Sequence, residues 1–97
     1  MKHDDINPGQ IPEGVTVIKF STPNCGPCKV LTPQFEGLSN NKVTFLSVNP
    51  QENMDWILEK QIRSVPVTLG FVDGEEKFRV QGVNIESIKS EISKIVC

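Results

Sequence analysis

The feature that most constrains this chain is a pair of cysteines two residues apart, Cys25 and Cys28, between a strand pattern and a helix pattern. The short apolar run Val15–Phe20 is dominated by β-branched residues, which predicts a buried strand. Apolar residues after Gly26 recur with helical spacing. A strand that delivers Cys-x-x-Cys to the first turn of a helix places the first thiol among backbone N–H groups that favour a thiolate. The sequence therefore predicts a redox-active dithiol.

The chemistry expected of this pair is thiol–disulfide exchange. Cys25, at the helix start, attacks a substrate disulfide, and Cys28 then attacks the mixed disulfide and releases the reduced substrate. Gly26 and Pro27 suit a tight entry into the helix, since proline is tolerated in the first turn. We therefore expect both spacer residues to tune the active site.

A zinc site is the alternative use of two cysteines at this spacing. Structural zinc normally has four ligands, and the other candidates, His3 and Cys97, lie at opposite ends of the chain. We therefore expect no metal and no cofactor beyond the redox-active Cys25–Cys28 disulfide. His3 and Cys97 are expected to have no role, because chain ends are usually mobile.

Charge and hydropathy indicate the environment of the protein. The net charge of −2 gives no reason to expect nucleic acid or an anionic membrane as a partner, and no apolar stretch approaches the length of a membrane span. The charged N-terminal residues lack a following apolar signal region, so we expect a cytoplasmic location. Three cysteines are too few for a secreted disulfide scaffold. We also expect a monomer.

The rest of the chain predicts a single domain, residues 1–97, with an irregular lead-in at residues 1–14. Strands are expected at residues 15–20, 43–48, 65–72 and 76–80, and helices at residues 26–38, at residues 52–61 and after Asn84. This order gives an α/β fold, a four-stranded mixed sheet flanked by three helices. On the second helix, the spacing predicts one face that contains Met54, Ile57, Leu58 and Gln61, with Trp56 used for packing or partly exposed.

Several motifs together resemble the thioredoxin family. Residues 25–29, Cys-Gly-Pro-Cys-Lys, match its active site, and Pro33 matches a proline that kinks the following helix. Residues 62–66, Ile-Arg-Ser-Val-Pro, resemble the segment with the family's cis-proline, and Gly82 matches the glycine after the last strand. The resemblance implies a thioredoxin fold and a protein-disulfide reductase. It also implies a thioredoxin-reductase-type flavoprotein as electron donor and disulfide substrates that include ribonucleotide reductase.

The resemblance also implies how the substrate is held. In the family, the peptide bond before the proline that matches Pro66 is cis and lies beside the disulfide. That arrangement leaves the backbone of Val65 free to pair with an extended substrate. We therefore expect Val65, Pro66, Gly82 and Asn24 to bind substrate.

Four positions depart from the family pattern. Two tryptophans of the family are replaced by Asn24 and Ser21, so we expect weak side-chain recognition and a broad substrate range. A buried aspartate and its lysine partner are replaced by Lys19 and Ser47. Lys19 is expected to extend its amine to the surface. As the alternative, it tunes the site, either by favouring a thiolate when charged or by accepting the Cys28 proton when neutral.

Two other functions remain open from the sequence. The residues before the cysteines also resemble glutaredoxins, which points to a reductase driven by glutathione. The segment after the last strand has a single glycine, Gly82, and no aspartate, which argues against a glutathione site. The other alternative is a non-catalytic thioredoxin-like module that binds a partner protein.

Overall fold

A four-stranded mixed sheet forms the frame of the protein in the computed structural model, which describes residues 4–96. In chain order the strands are β1 (Val15–Phe20), β2 (Val43–Val48), β3 (Val67–Val72) and β4 (Glu75–Gln81), and they lie in the order β2-β1-β3-β4. β1 pairs with β2 in parallel and with β3 antiparallel, and β4 completes an antiparallel hairpin. The sheet confirms the predicted fold class and places β1 in its interior.

Three α-helices flank this sheet within the described residues. They are α1 (Gly26–Glu36), α2 (Asp55–Lys60) and α3 (Ile85–Ile95), and a short 3-10 helix (Pro8–Gln10) precedes β1. The Asn84 side chain accepts a hydrogen bond from the backbone of Ser87, so Asn84 caps α3, the helix that was expected after this residue. Within residues 4–96, no helix has the length and hydropathy needed to span a membrane.

The observed boundaries differ from the predicted ones in α1, α2, β3 and β4, and β4 extends one residue beyond residues 76–80 at each end. α1 ends at Glu36, before Gly37, and α2 is shorter at both ends than residues 52–61. β3 begins at Val67 rather than at residue 65, because Pro66 has no N–H to donate to the strand ladder. The two residues before β3 are therefore loop residues beside the dithiol.

Each face of the sheet carries its own core. One face, beneath α2, packs Ile18 and Phe20 of β1 against Trp56. The other face packs Val17 of β1 against the apolar sides of α1 and α3. On this second face, a Cβ at Gly70 would collide with the Phe78 ring, so the close approach of β3 and β4 requires glycine.

The predicted face of α2 is wrong for Met54 and Leu58, whereas Ile57 is half-buried against the core. Met54 and Leu58 are 56% and 76% exposed, whereas Trp56 is fully buried. The Trp56 indole N–H donates to the Ile6 carbonyl at 2.8 Å, and its ring centroid lies 4.9 Å from that of Phe20. Because α2 has only six residues, the position of its largest apolar side chain decides which side faces the sheet.

The lead-in packs along the outer edge of the sheet. Asp4 donates its backbone N–H to the Ser47 carbonyl, and the Ser47 N–H donates to Asp4 Oδ2 at 2.8 Å. Asn7 caps the 3-10 helix that follows. These contacts cover part of the β2 edge without adding a strand among residues 4–14.

Candidate active site

Cys25 and Cys28 are joined by a disulfide at the start of α1. Their Cα atoms lie 5.2 Å apart, within the range that a disulfide spans. Cys25 is the N-cap residue, and its Sγ accepts a hydrogen bond from the Cys28 N–H at 3.1 Å. Cys25 is partly exposed and Cys28 is fully buried. A substrate can therefore approach only the first sulfur directly.

The loop before β3 lies against this first sulfur. The Val65–Pro66 peptide bond is cis, as the resemblance implies. The Val65 carbonyl oxygen lies 3.7 Å from Cys25 Sγ. Gly82, at φ +83°, donates its N–H to the Pro66 carbonyl at 2.8 Å. The structure thus brings together Val65, Pro66 and Gly82, while Asn24 is exposed next to Cys25 along the chain.

Gln81 and Ser64 also hold this loop, and the sequence analysis missed both. The Gln81 side-chain amide donates to Ser64 Oγ at 2.6 Å and to the Pro66 carbonyl at 3.3 Å. Their positions, beside the glycine and the proline of the motifs, were the only available signal. Because Gln81 ends β4, it fixes the loop relative to the sheet.

Gly26 and Pro27 form the exposed first turn of α1. Proline has no N–H to leave unpaired there. The N–H of Lys29 donates to the Cys25 carbonyl at 3.3 Å, the first hydrogen bond of the helix. Both spacer residues therefore lie where the sequence placed them, and their tuning role stays a prediction.

The expectation that Lys19 reaches the surface is wrong. The residue is only 1% exposed, since β1 is an interior strand covered by α1. Lys19 Nζ donates to Thr32 Oγ1 at 2.7 Å, and this hydroxyl donates to the Cys28 carbonyl at 2.8 Å. A hydrogen-bonded chain therefore connects the buried amine to the backbone of the second cysteine.

The surroundings of Lys19 change its pKa. Burial lowers the pKa of the amine from its ordinary value of 10.5, and the negative charge of Glu36 opposes part of that change. The ammonium nitrogen also lies 5.7 Å from the centre of the Phe35 ring. Lys19 lines a recess of about 250 Å³ that also contains Asp4 and Glu36. Its amine thus loses its proton more readily than an exposed lysine would.

Metal binding finds no support in the described part of the chain. Among residues 4–96, no group of three or more histidine, cysteine or acidic residues could hold a metal ion. The other zinc candidates of the sequence analysis, His3 and Cys97, lie outside the described residues. The absence of a cofactor stays a prediction.

Comparison with known proteins gives a consistent result. The family model for thioredoxin matches residues 6–94. The chain is 33% identical to mitochondrial thioredoxin-2 of Schizosaccharomyces pombe over 92 residues, covering 93% of this chain and 69% of that protein. It is 31% identical to human thioredoxin over 84 residues, covering 84% of this chain and 80% of that protein.

Solved structures agree with these relatives. The Malassezia sympodialis thioredoxin superposes with a TM-score of 0.81 at 30% identity, covering 88% of this chain and 77% of that one. Oxidized mitochondrial thioredoxin 3 of Saccharomyces cerevisiae gives 0.79 at 25% identity, covering 84% and 79%. Fold, disulfide and relatives all define a thiol–disulfide oxidoreductase that acts on protein disulfides and is re-reduced by a reductase. The chain belongs to the thioredoxin family.

The predicted cytoplasmic location is wrong. The relative from S. pombe is named mitochondrial, and the S. cerevisiae structure is that of a mitochondrial thioredoxin. Both findings point away from the cytoplasm. The prediction rested on the charged residues at the start of the chain, and neither the fold nor the dithiol chemistry specifies a compartment.

Proposed function

We propose that this chain reduces protein disulfides with Cys25 as nucleophile and Cys28 as resolving thiol. The Cys25 thiolate attacks one sulfur of the substrate disulfide, forming a mixed disulfide and releasing the other substrate sulfur as a thiolate. Cys28 then loses its proton and attacks Cys25 Sγ, which breaks the mixed disulfide and releases the second substrate sulfur as a thiolate. The Cys25–Cys28 disulfide forms, and two electrons have passed to the substrate.

The observation that carries this assignment is the difference between the two sulfurs. Cys25 is partly exposed and its sulfur accepts the Cys28 N–H at 3.1 Å, whereas Cys28 is fully buried. A hydrogen bond to a sulfur at a helix N-terminus favours the thiolate of that cysteine. The exposed sulfur therefore attacks first, and the buried one is protected from any sulfur except that of Cys25.

The substrate is held by backbone groups beside the attacked sulfur. The Val65 carbonyl lies next to Cys25 Sγ, and the Gly82–Pro66 hydrogen bond keeps the neighbouring loops together. An extended substrate segment that pairs with Val65 adds a short strand at this edge, a common mode of peptide recognition. Asn24 contributes a polar side chain at the rim.

Lys19 tunes the resolving cysteine from below. Its amine orients Thr32, which donates to the Cys28 carbonyl. While protonated, the amine favours a thiolate at Cys28 over the neutral thiol, because an opposite charge stabilises the charged form. Lys19 is a positioning residue in this account and takes no part in bond making.

The proposal also names a specific electron donor and a specific substrate. The electron donor is a flavoprotein of the thioredoxin-reductase type, and ribonucleotide reductase is one of the substrates. The protein works as a monomer, without a metal, a nucleic acid or a membrane. Membership of the thioredoxin family supports a reductase donor in general.

A trapping experiment tests the mechanism. Cys25→Ser should abolish insulin reduction, and Cys28→Ser should accumulate a long-lived mixed disulfide because attack occurs without resolution. Cys97→Ser serves as the control and should turn over like the native protein. Multiple turnover by Cys28→Ser would contradict the assignment.

A donor experiment separates this proposal from the two alternatives. Insulin reduction is measured with NADPH and a thioredoxin-reductase-type flavoprotein, and in parallel with glutathione and its reductase. Turnover with the flavoprotein supports the proposal, and turnover with glutathione alone indicates a glutaredoxin-like enzyme. No turnover in either system, together with an inert disulfide, indicates a partner-binding module.

A further inference from the structure

The recess that Lys19 lines has no part in the disulfide exchange described so far. It lies between α1 and β2 and has a volume of about 250 Å³. Its walls include Phe35 and Phe45, whose rings meet edge-to-face with their centroids 5.8 Å apart. The rest of the lining is formed by Asp4, Glu36, Leu38, Leu46 and Ser47. A buried amine thus borders a mainly apolar space with acidic residues in its lining.

The amine of Lys19 is held in a fixed position at this recess. Nζ donates to Thr32 Oγ1 at 2.7 Å. Because the residue as a whole is almost completely buried, a molecule that reaches its amine has to enter through the recess. A neutral lysine amine has two N–H groups and a lone pair. With one N–H bonded to Thr32, the lone pair remains available to a ligand in the recess.

The environment of Lys19 is one that makes an amine nucleophilic. Burial lowers the pKa of Lys19, although the negative charge of Glu36 opposes this change. A lower pKa increases the fraction of the neutral amine, which is the form that attacks carbonyl carbons. Lysines that are desolvated in apolar pockets form Schiff bases with carbonyl compounds for this reason.

The charges around the recess select for a neutral ligand. Glu36 of α1 and Asp4 of the lead-in are acidic residues in its lining and disfavour an anion. The protonated form of Lys19 disfavours a cation. An uncharged carbonyl compound with an apolar tail meets neither repulsion, and its tail can pack against Phe35 and Phe45.

We propose that the recess between α1 and β2 binds short apolar aldehydes and that the Lys19 amine joins them covalently as an imine. The lone pair of Nζ attacks the carbonyl carbon and forms a C–N bond. Both hydrogens of the neutral amine then leave with the carbonyl oxygen as water, and a C=N double bond remains. No electrons are gained or lost, so the step is independent of the Cys25–Cys28 disulfide.

The volume of the recess indicates which aldehydes fit. A dry cavity of about 150 Å³ accommodates benzene. A recess of about 250 Å³ therefore has room for a phenyl ring or a short alkyl chain together with the aldehyde group. Chain length is then a test of the recess, because an exposed lysine gives the tail no apolar surface to bury.

Reductive trapping on the oxidised full-length protein tests the proposal. The protein is incubated at neutral pH with acetaldehyde or hexanal and with cyanoborohydride, which reduces imines to stable amines, and peptide mass spectrometry locates the label. The ratio of label at Lys19 to label at the exposed Lys42 should rise about tenfold from acetaldehyde to hexanal, because part of the longer tail leaves water. An equal ratio for the two aldehydes would overturn the proposal.

A variant that fills the recess tests the role of its walls. Ser47 lies opposite Lys19 in the pairing of β1 with β2 and lines the recess. Ser47→Leu should reduce the preference for hexanal to about twofold or less. Thr44→Leu, at an exposed position of the same strand, is the control for size and should keep the full preference. A preference that survives in Ser47→Leu, shown to be folded by circular dichroism, would also overturn the proposal.

A surface variant tests the electrostatics without altering the walls. Glu36 is exposed, and its charge favours the protonated amine of Lys19. Glu36→Gln should therefore accelerate labelling of Lys19 by hexanal about twofold at low salt. Glu59→Gln, at an exposed residue of α2, should leave the rate unchanged. Slower labelling in Glu36→Gln would contradict attack by the neutral amine. Each of these measurements uses the oxidised protein, so none depends on the proposed reductase activity.

Discussion

The two faces of β1 differ in what they bury. On the α2 face, Phe20 packs edge-to-face against Trp56 in a cluster of aliphatic and aromatic side chains. On the α1 face, the same strand buries Lys19, whose amine is bonded to Thr32 beneath the redox-active turn. Adjacent residues of one strand thus lie in two different environments, because successive side chains point to opposite faces of the sheet.

This difference separates stability from chemistry. Burying aromatic area stabilises the fold directly. Burying a charged amine opposes folding unless the group is bonded or loses its proton. The Lys19 amine is hydrogen-bonded to Thr32, which donates to the carbonyl of the resolving cysteine. A buried amine that opposes folding is expected at a position where function, rather than stability, determines the residue type.

The largest effect is expected on the α2 face. Trp56→Ala removes the largest buried side chain, and such truncations reduce the free energy of unfolding by about 3–5 kcal/mol. The measurement is urea unfolding of the oxidised protein. Leu58→Ala, on the exposed side of α2, should change it by less than about 0.5 kcal/mol. Similar losses at the two positions would contradict the assigned orientation of α2.

The sequence predicted the sheet well because its signals were local. Short β-branched runs and the residue that caps a helix each depend on a few neighbouring residues. The short α2 was predicted less well, because tertiary contacts of Trp56 decided its orientation. Six residues carry too little periodicity to overrule one large side chain.

The site was predictable only where it depends on residue type. The Cys-x-x-Cys pair and the motif around Pro66 could be found in the sequence. The burial of Lys19 could not be predicted. A lysine whose amine reaches water along an apolar stem and a lysine whose amine is hydrogen-bonded inside the fold look the same in the sequence. Thr32 lies on α1, and its role depends on the hydrogen bond that it accepts from the Lys19 amine on β1.

A second prediction concerns the polar α1 face. Thr32→Val removes the acceptor of the Lys19 amine and the donor to the Cys28 carbonyl. Leaving a buried amine without this partner should reduce the free energy of unfolding by about 1–3 kcal/mol. Thr32→Ser keeps the hydroxyl and should lose less. Urea unfolding of both variants tests this prediction. Equal losses in the free energy of unfolding would show that the methyl group, rather than the hydroxyl, stabilises the fold.

The third prediction is a gain in stability. Lys19→Met keeps an unbranched apolar stem and removes the buried charge, so it should stabilise the oxidised protein at neutral pH by up to about 2 kcal/mol. Lys42→Met, at an exposed lysine, is the control. A clear loss of stability in Lys19→Met would show that the Thr32 bond outweighs the burial of charge.

The pH dependence of that gain has a definite sign. Burial lowers the pKa of Lys19 in the folded state below 10.5. Between the folded pKa and 10.5, the unfolded chain holds more protons, so native stability rises with pH. The advantage of Lys19→Met is therefore full below the folded pKa and shrinks towards pH 10.5.

The smallest effect is expected in the redox potential. A protonated Lys19 favours the Cys28 thiolate and hence the reduced form, so Lys19→Met should lower the potential. Equilibration with glutathione buffers should show a decrease of roughly 15 mV, about threefold in the equilibrium constant. The decrease should shrink as pH rises through the Lys19 pKa, whereas Lys42→Met should match the native protein. An unchanged or higher potential in Lys19→Met would leave the buried amine as a structural group on the polar face and remove its link to the dithiol.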